Sequence, residues 1–236
     1  MVLEETSTKS SATGKTELDT LLGGGLPGGS LTLLEGPADS GKSVLCEYFV
    51  HRSLLSRVAV AYYTSDANIK NVMLQMGSLD LDVTDYFLSD RLRLYTLSAE
   101  ANGDEKITFG LLRKHLEQLP RHFQLIVLDS LSELTAHSDE NALAEFFLGC
   151  QQVCAQGHTL LVTVRSEVLD DDQRGRLQTI CNGYLKLGME KSGGDIIRVL
   201  EVVKLRNARR ETNNTLGLEV EPGTGLKILP FTRKKV

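Results

Sequence analysis

The sequence carries no surplus of positive charge. It has 26 Lys and Arg against 31 Asp and Glu, a formal net charge of −5 and a pI of about 5.6. A chain that coats nucleic acid presents a basic surface, and the bulk charge argues against that role. It has no Cys-x-x-Cys pair among its four cysteines, Cys46, Cys150, Cys154 and Cys181. Cys150 and Cys154 share a face of an expected helix but lack His or Asp partners at ligand spacing, so the four read as buried thiols in a reducing cytoplasm. No signal peptide is recognisable, and no apolar stretch approaches the roughly 20 residues of a membrane span. Any membrane association is therefore expected to run through partners. Neither a linker nor an internal repeat divides the chain.

What is present is one α/β pattern. Residues 1–12 are polar and aperiodic and read as a flexible tail, leaving 13–236 as a single domain. A short helix at about 15–22 and a Gly-rich turn lead into LTLLEG (31–36), a continuous apolar run of strand length suited to a central parallel strand. Helix and strand patterns then alternate. Strands are expected at 58–64, 91–97, 123–130 and 159–165. Helices are expected at 41–55, 67–79, 105–119, 139–156 and 172–181. After Asn182 the pattern changes to strands 183–190, 196–206, 216–222 and 226–230 separated by Gly, Asn and Asp turns, an expected antiparallel extension at one sheet edge.

The segment Gly36-Pro37-Ala38-Asp39-Ser40-Gly41-Lys42-Ser43 matches G-x-x-x-x-G-K-[ST] in full, between an apolar strand and a helix. Small residues let the backbone curl so that N–H groups point at phosphates, and the helix N-terminus adds partial positive charge. Lys42 can reach the β- and γ-phosphates, and Ser43 can ligate Mg²⁺. Asp129 ends the apolar strand LIVLD, at the sheet edge where ligands bind, and can hold the same Mg²⁺ through water. Ser130 is a lesser candidate for that shell.

Hydrolysis needs a group that orients water. Asp66, just past strand 58–64, is the candidate base; it also fits as the cap of the helix that follows. Thr163, Arg165, Ser166 and Glu167 follow the strand 159–165 and are either a γ-phosphate sensor or a polar loop exit. Lys204 and Arg206, two apart on a strand, form either a solvated basic edge or a finger towards a neighbouring subunit.

The run TGKTELDTLLGGGLPGGSLTLLEGPADSGKS resembles the opening of the RecA-like ATPases of the KaiC branch. Within that branch, the stretches at 70–97, 184–230 and TVRSEVLDDD resemble the accessory ATPases of the archaellum. The resemblance runs from Thr13 to Pro230. It implies a RecA-like doubly wound, mostly parallel sheet, ATP with Mg²⁺ as ligands, and a homo-hexameric ring. It further implies a nucleotide-dependent switch with weak or no hydrolysis, beside a secretion-type motor ATPase, a membrane platform protein and a cytoplasmic scaffold ring. Under it, Asp66 stands where relatives carry a catalytic Glu, and Lys204 and Arg206 match a K-x-R pair presented to a neighbour's nucleotide. A KaiC-like autokinase with Thr212 or Thr215 as acceptor is the alternative. A DNA-handling ATPase is disfavoured because SLSELTAHSDE after Asp129 holds no Lys or Arg, and because Asp170, Asp171 and Asp172 follow Arg165.

Overall fold

Strand-length apolar runs, each followed by an amphipathic helix, produce a doubly wound sheet. A computed structural model describes residues 18–19, 22–65, 68–97, 108–136, 138, 140–192, 195–208, 215–221 and 225–229. Nine strands form one sheet in the order β3-β2-β4-β5-β1-β6-β7-β8-β9. They are β1 (Leu31–Gly36), β2 (Ala59–Thr64), β3 (Leu92–Thr96), β4 (Phe123–Asp129), β5 (Thr159–Arg165), β6 (Gly183–Ser192), β7 (Asp195–Leu205), β8 (Thr215–Glu221) and β9 (Gly225–Leu229). The helices are α1 (Lys42–Leu55), α2 (Ile69–Ser78), α3 (Thr84–Leu88), α4 (Phe109–Glu117), α5 (Ser132–Ala136), α6 (Glu140–Ala155) and α7 (Asp171–Ile180).

The central strands are buried on both faces, which is why their sequences are continuously apolar rather than alternating. Leu34, Leu125, Val127 and Leu161 face a core shared with Leu45, Phe49 and Val50 of α1 and with Leu216 and Leu218 of β8. Leu31, Leu33, Ile126, Leu128, Leu160 and Val162 face the other core, against Leu112 and Leu116 of α4, Phe146, Phe147 and Cys150 of α6 and Leu177 of α7. All four cysteines are buried and unbonded. Among the described residues no helix is long and apolar enough to cross a membrane.

Three expectations change. β6 was expected within the antiparallel extension, but it pairs with β1 in parallel, Thr32 opposite Gly183 through Glu35 opposite Lys186. The reason is topological: α7 is one more crossover, so the strand after it returns in the same direction as the rest. The antiparallel part is thus β7, β8 and β9. Two short helices, α3 and α5, occupy stretches where no helix was expected. Thr215, expected in a turn, opens β8 and pairs with Glu201. Thr212, Asp66, the expected tail and most of the expected helix near 15–22 lie outside the described residues.

Candidate functional site

The phosphate-loop segment leaves the end of β1 and turns into α1 through two left-handed residues, Asp39 at φ 58° and Gly41 at φ 94°. At Gly36 a Cβ would lie 2.5 Å from the carbonyl oxygen of Leu187 on β6, so only glycine lets the loop start there. Gly41 stands in the N-cap position of α1 and supplies no side-chain hydrogen bond, and the first turn holds no acidic residue. By contrast Asn68, Thr108 and Asp170 each cap their helix with a side-chain oxygen. The amino end of the 14-residue α1 is therefore open to an anion.

Lys42 is 8% exposed, and its Nζ donates to the carbonyls of Gly36 at 2.9 Å and Pro37 at 2.7 Å. The loop thus curls around the ammonium that would meet the phosphates. Ser43, half-buried, follows on the first turn of α1.

Asp129 ends β4 and is 3% exposed. Tyr62 of β2 donates to Oδ2 at 2.7 Å, and Thr163 of β5 donates to Oδ1 at 2.7 Å. One hydroxyl on each carboxylate oxygen fixes the plane of the group, from the strands on either side of β4. The peptide bond between Asp129 and Ser130 is cis. Burial, and then the charge of Asp129, raise the pKa of Tyr62 well above the ordinary phenol range, so it stays a donor. Cys46 of α1 is buried. Burial raises its thiol pKa first, Asp129 and Glu47 raise it further, and Lys42 lowers it.

Thr163, read in the sequence as a sensor candidate, is fully buried and spends its hydroxyl on Asp129. Arg165 is exposed, and its N–H donates to Ser132 Oγ at 2.9 Å. Ser166 and Glu167 lie in a single 3-10 turn, Ser166–Val168, and the carbonyl of Ser166 accepts from Arg174 at 2.6 Å. Ser130 Oγ donates to Ser132 Oγ at 3.0 Å, within the loop.

Lys204 and Arg206 are far from this loop. β7 runs antiparallel, so Leu205 lies level with Gly183, which itself pairs with Thr32 near the start of β1. Gly36 is four residues further along β1, roughly 13 Å at the rise of a strand. The pair therefore stands at the amino edge of the sheet, opposite the phosphate-loop edge. The expectation that both lie on one strand also changes, because β7 ends at Leu205 and Arg206 begins the turn.

Three features escaped the sequence. Arg198 of β7 packs over the loop: a Cβ on Gly41 would lie 3.0 Å from its Nε and 3.1 Å from its Cδ. That Nε is buried and has no hydrogen-bond partner among the described residues. Glu47, one helical turn beyond Ser43 on the same face of α1, is 1% exposed and accepts from Gln75 Nε2 of α2 at 3.2 Å. Glu35, just before the loop, accepts from Tyr184 and from Arg174 Nε, the latter at 2.9 Å. Burial would raise the pKa of Glu35, but the bonds from Tyr184 and Arg174 outweigh it and hold the group below its usual value. A charged residue amid the apolar positions of α1 was the one available hint for Glu47; Arg198 and Glu35 gave none, because their partners are distant in sequence.

The chain is similar to known proteins over most of its length. A family model described as the KaiC ATPase matches residues 11–233. The chain is 29% identical over 223 residues to the archaeal flagellar ATP-binding protein FlaH of Sulfolobus acidocaldarius, covering 94% of this chain and 97% of that protein. It is 28% identical to FlaH of Methanocaldococcus jannaschii, covering 90% and 91%. The crystal structure of the flagellar accessory protein FlaH from Methanocaldococcus jannaschii superposes with a TM-score of 0.80 at 24% identity, over 92% of this chain and 97% of that one, which shows a common fold. With a phosphate loop, an anchored strand-end aspartate and this sheet order in place, the chain belongs to the KaiC family of RecA-like ATPases and is similar, within it, to the FlaH proteins.

Proposed function

We propose that this chain is an ATP-binding component of an archaellum-type motility motor, working as a nucleotide-dependent assembly switch with weak or no hydrolysis. The observation that carries the nucleotide half is the amino end of α1, which has neither a side-chain cap nor an acidic residue and curls around Lys42. There Lys42 and the loop N–H groups would hold the phosphates, and Arg198 Nε supplies a further donor. Ser43 and Asp129 suit Mg²⁺, a hard cation that takes oxygen ligands and shares them with substrate phosphates. When bound, Mg²⁺ supplies positive charge that neutralises the β- and γ-oxygens.

The switch half is supported by the placement of Arg206 at the sheet edge opposite the loop. From there it serves a nucleotide held by a second copy, not its own. A γ-phosphate contacted from two chains binds the assembled state more tightly than the separate one, and that difference is what moves the equilibrium. A closed ring, a hexamer in this reading, is the outcome of such a head-to-tail contact. Asp66 supports slow turnover in this reading, because its side chain is one methylene shorter than the Glu that the family resemblance implies at that position. In this reading the chain stands at the cytoplasmic side of the membrane, beside a secretion-type motor ATPase, a membrane platform protein and a scaffold ring.

The test is a paired measurement on the purified chain: mass in solution with and without Mg·ATP, together with phosphate release. Lys42→Ala is expected to lose nucleotide binding and ATP-dependent assembly together. Assembly that persisted unaltered in Lys42→Ala would overturn the switch.

A further inference from the structure

The carboxyl end of α7 leaves its last carbonyls without partners inside the helix, as every helix does. Its last turn contains no basic residue of its own. The partners come from elsewhere in the fold. Lys204 Nζ donates to the carbonyls of Gln178 and Cys181, both at 2.6 Å, and approaches that of Thr179 at 3.5 Å. Gln151 Nε2 of α6 donates to the carbonyl of Ile180 at 2.5 Å. One ammonium and one amide thus serve all four. The ammonium also sits at the negative end of the helix dipole.

The same corner is tied to the start of β1. Asn182 follows α7, and its N–H donates to the carbonyl of Leu31 at 2.8 Å. Its Oδ1 accepts from Leu31 N at 3.0 Å. Its carbonyl accepts the N–H of Arg206 at 2.9 Å. α7, the first residue of β1 and the end of β7 therefore meet at one joint, with Lys204 as its cation. Lys204 is half-buried there, whereas Arg206 is exposed. Burial, followed by the charge of Arg206, lowers the pKa of Lys204, which fits an ammonium turned into the protein.

We infer that Lys204 acts within its own chain, as a clamp that closes the end of α7 and sets the turn after β7. This rests on the hydrogen bonds alone; the part given to Arg206 belongs to the assembly reading above and serves here as the comparison. Lys204 is then a positioning residue: to reach another chain it would have to abandon the α7 carbonyls, each left unpaired at a protein corner.

The experiment compares Lys204→Met and Arg206→Gln in the full chain. Three readouts are taken: the melting temperature without nucleotide, amide hydrogen exchange across residues 174–182, and the dependence of Mg·ATP-driven assembly on salt. Lys204→Met is expected to lower the melting temperature by about 2–6 °C, the shift that loss of one clamp produces in a domain of this size, and to speed exchange at the end of α7. It should leave the salt slope of assembly as in the parent, which a residue touching the nucleotide of a neighbour would not do. Arg206→Gln is expected to leave melting and exchange at parental values and to flatten the salt slope, because the lost cation acts across the contact. The inference is overturned if Lys204→Met leaves melting and exchange unchanged and flattens the salt slope. Expected melting and exchange with no effect of Arg206→Gln on assembly uphold the clamp and overturn the assignment of Arg206. A parent chain that fails to assemble with Mg·ATP overturns the assembly reading and again removes the role of Arg206, while melting and exchange still decide the clamp.

Discussion

Thr163 donates its hydroxyl to Oδ1 of Asp129 at 2.7 Å, from the strand hydrogen-bonded to the one that Asp129 ends. The bond leaves a carboxylate aimed before any cation arrives. Thr163→Val keeps the shape and removes the donor. Partners of this kind are worth about 10- to 100-fold in metal affinity. Titration of ATP binding against Mg²⁺ should show a weaker magnesium dependence in the variant, with binding in chelator unchanged. Equal magnesium dependence in the two proteins would exclude Asp129 as a magnesium holder aligned by Thr163.

Glu47 predicts a pH dependence of stability. Burial first, and then the charge of Asp129, push its pKa up to about 8, with the bond from Gln75 acting the other way. Unfolded, the group titrates in the ordinary Glu range, about 4.3. The folded chain holds the proton more tightly, so the stability this group contributes is complete below the unfolded pKa. It is lost as pH rises and reaches its floor above about 8. Glu47→Gln removes the titration and keeps a hydrogen-bonding partner for Gln75. The variant should gain on the parent steadily between pH 5 and 8 in chemical denaturation, and a pH-independent difference would contradict the assignment.

Arg198 carries a buried Nε without a described partner, against the loop at Gly41. A hydrogen bond to a charged group contributes about 1.5–3 kcal/mol, so Arg198→Met is expected to weaken Mg·ATP binding roughly ten-fold or more. Calorimetry checks this, with the nucleotide-free melting temperature as a control for folding. Parental affinity in a folded variant would leave Arg198 as packing only.

Asp66 lies outside the described residues, and its prediction rests on side-chain length. If slow turnover follows from a carboxylate held one methylene short of the attacking water, Asp66→Glu should raise steady-state phosphate release about ten-fold or more. Unchanged ATP affinity is the accompanying control. No rise would mean that the short side chain is not what limits hydrolysis.

Much of this protein was legible in its residues. Continuous apolar runs at 31–36, 123–129 and 159–165 are the inner strands, because strands covered by helices on both faces have no solvent side to alternate towards. The phosphate-binding loop was legible for a related reason: its glycines, lysine and serine act through local backbone geometry, so nearby residues suffice to recognise it. Asp129 could be placed at a strand end, where ligands collect.

What depends on residues distant in sequence was not legible. Tyr62 and Thr163 reach Asp129 across separations of 67 and 34 residues. Arg198 meets Gly41, and Lys204 closes α7, through pairings that exist once the sheet is ordered. The direction of β6 was likewise decided by the crossover before it, not by its own alternation. By itself the sequence determined where most of the strands and the longer helices lie and that a phosphate-loop motif sits between β1 and α1, since propensity, periodicity and turn chemistry are local. The tertiary structure decided which side chains anchor the acidic partner and where Lys204 is bound. It also decided that Arg206 stands at the edge away from its own loop, since those depend on strand order and register set by the whole core.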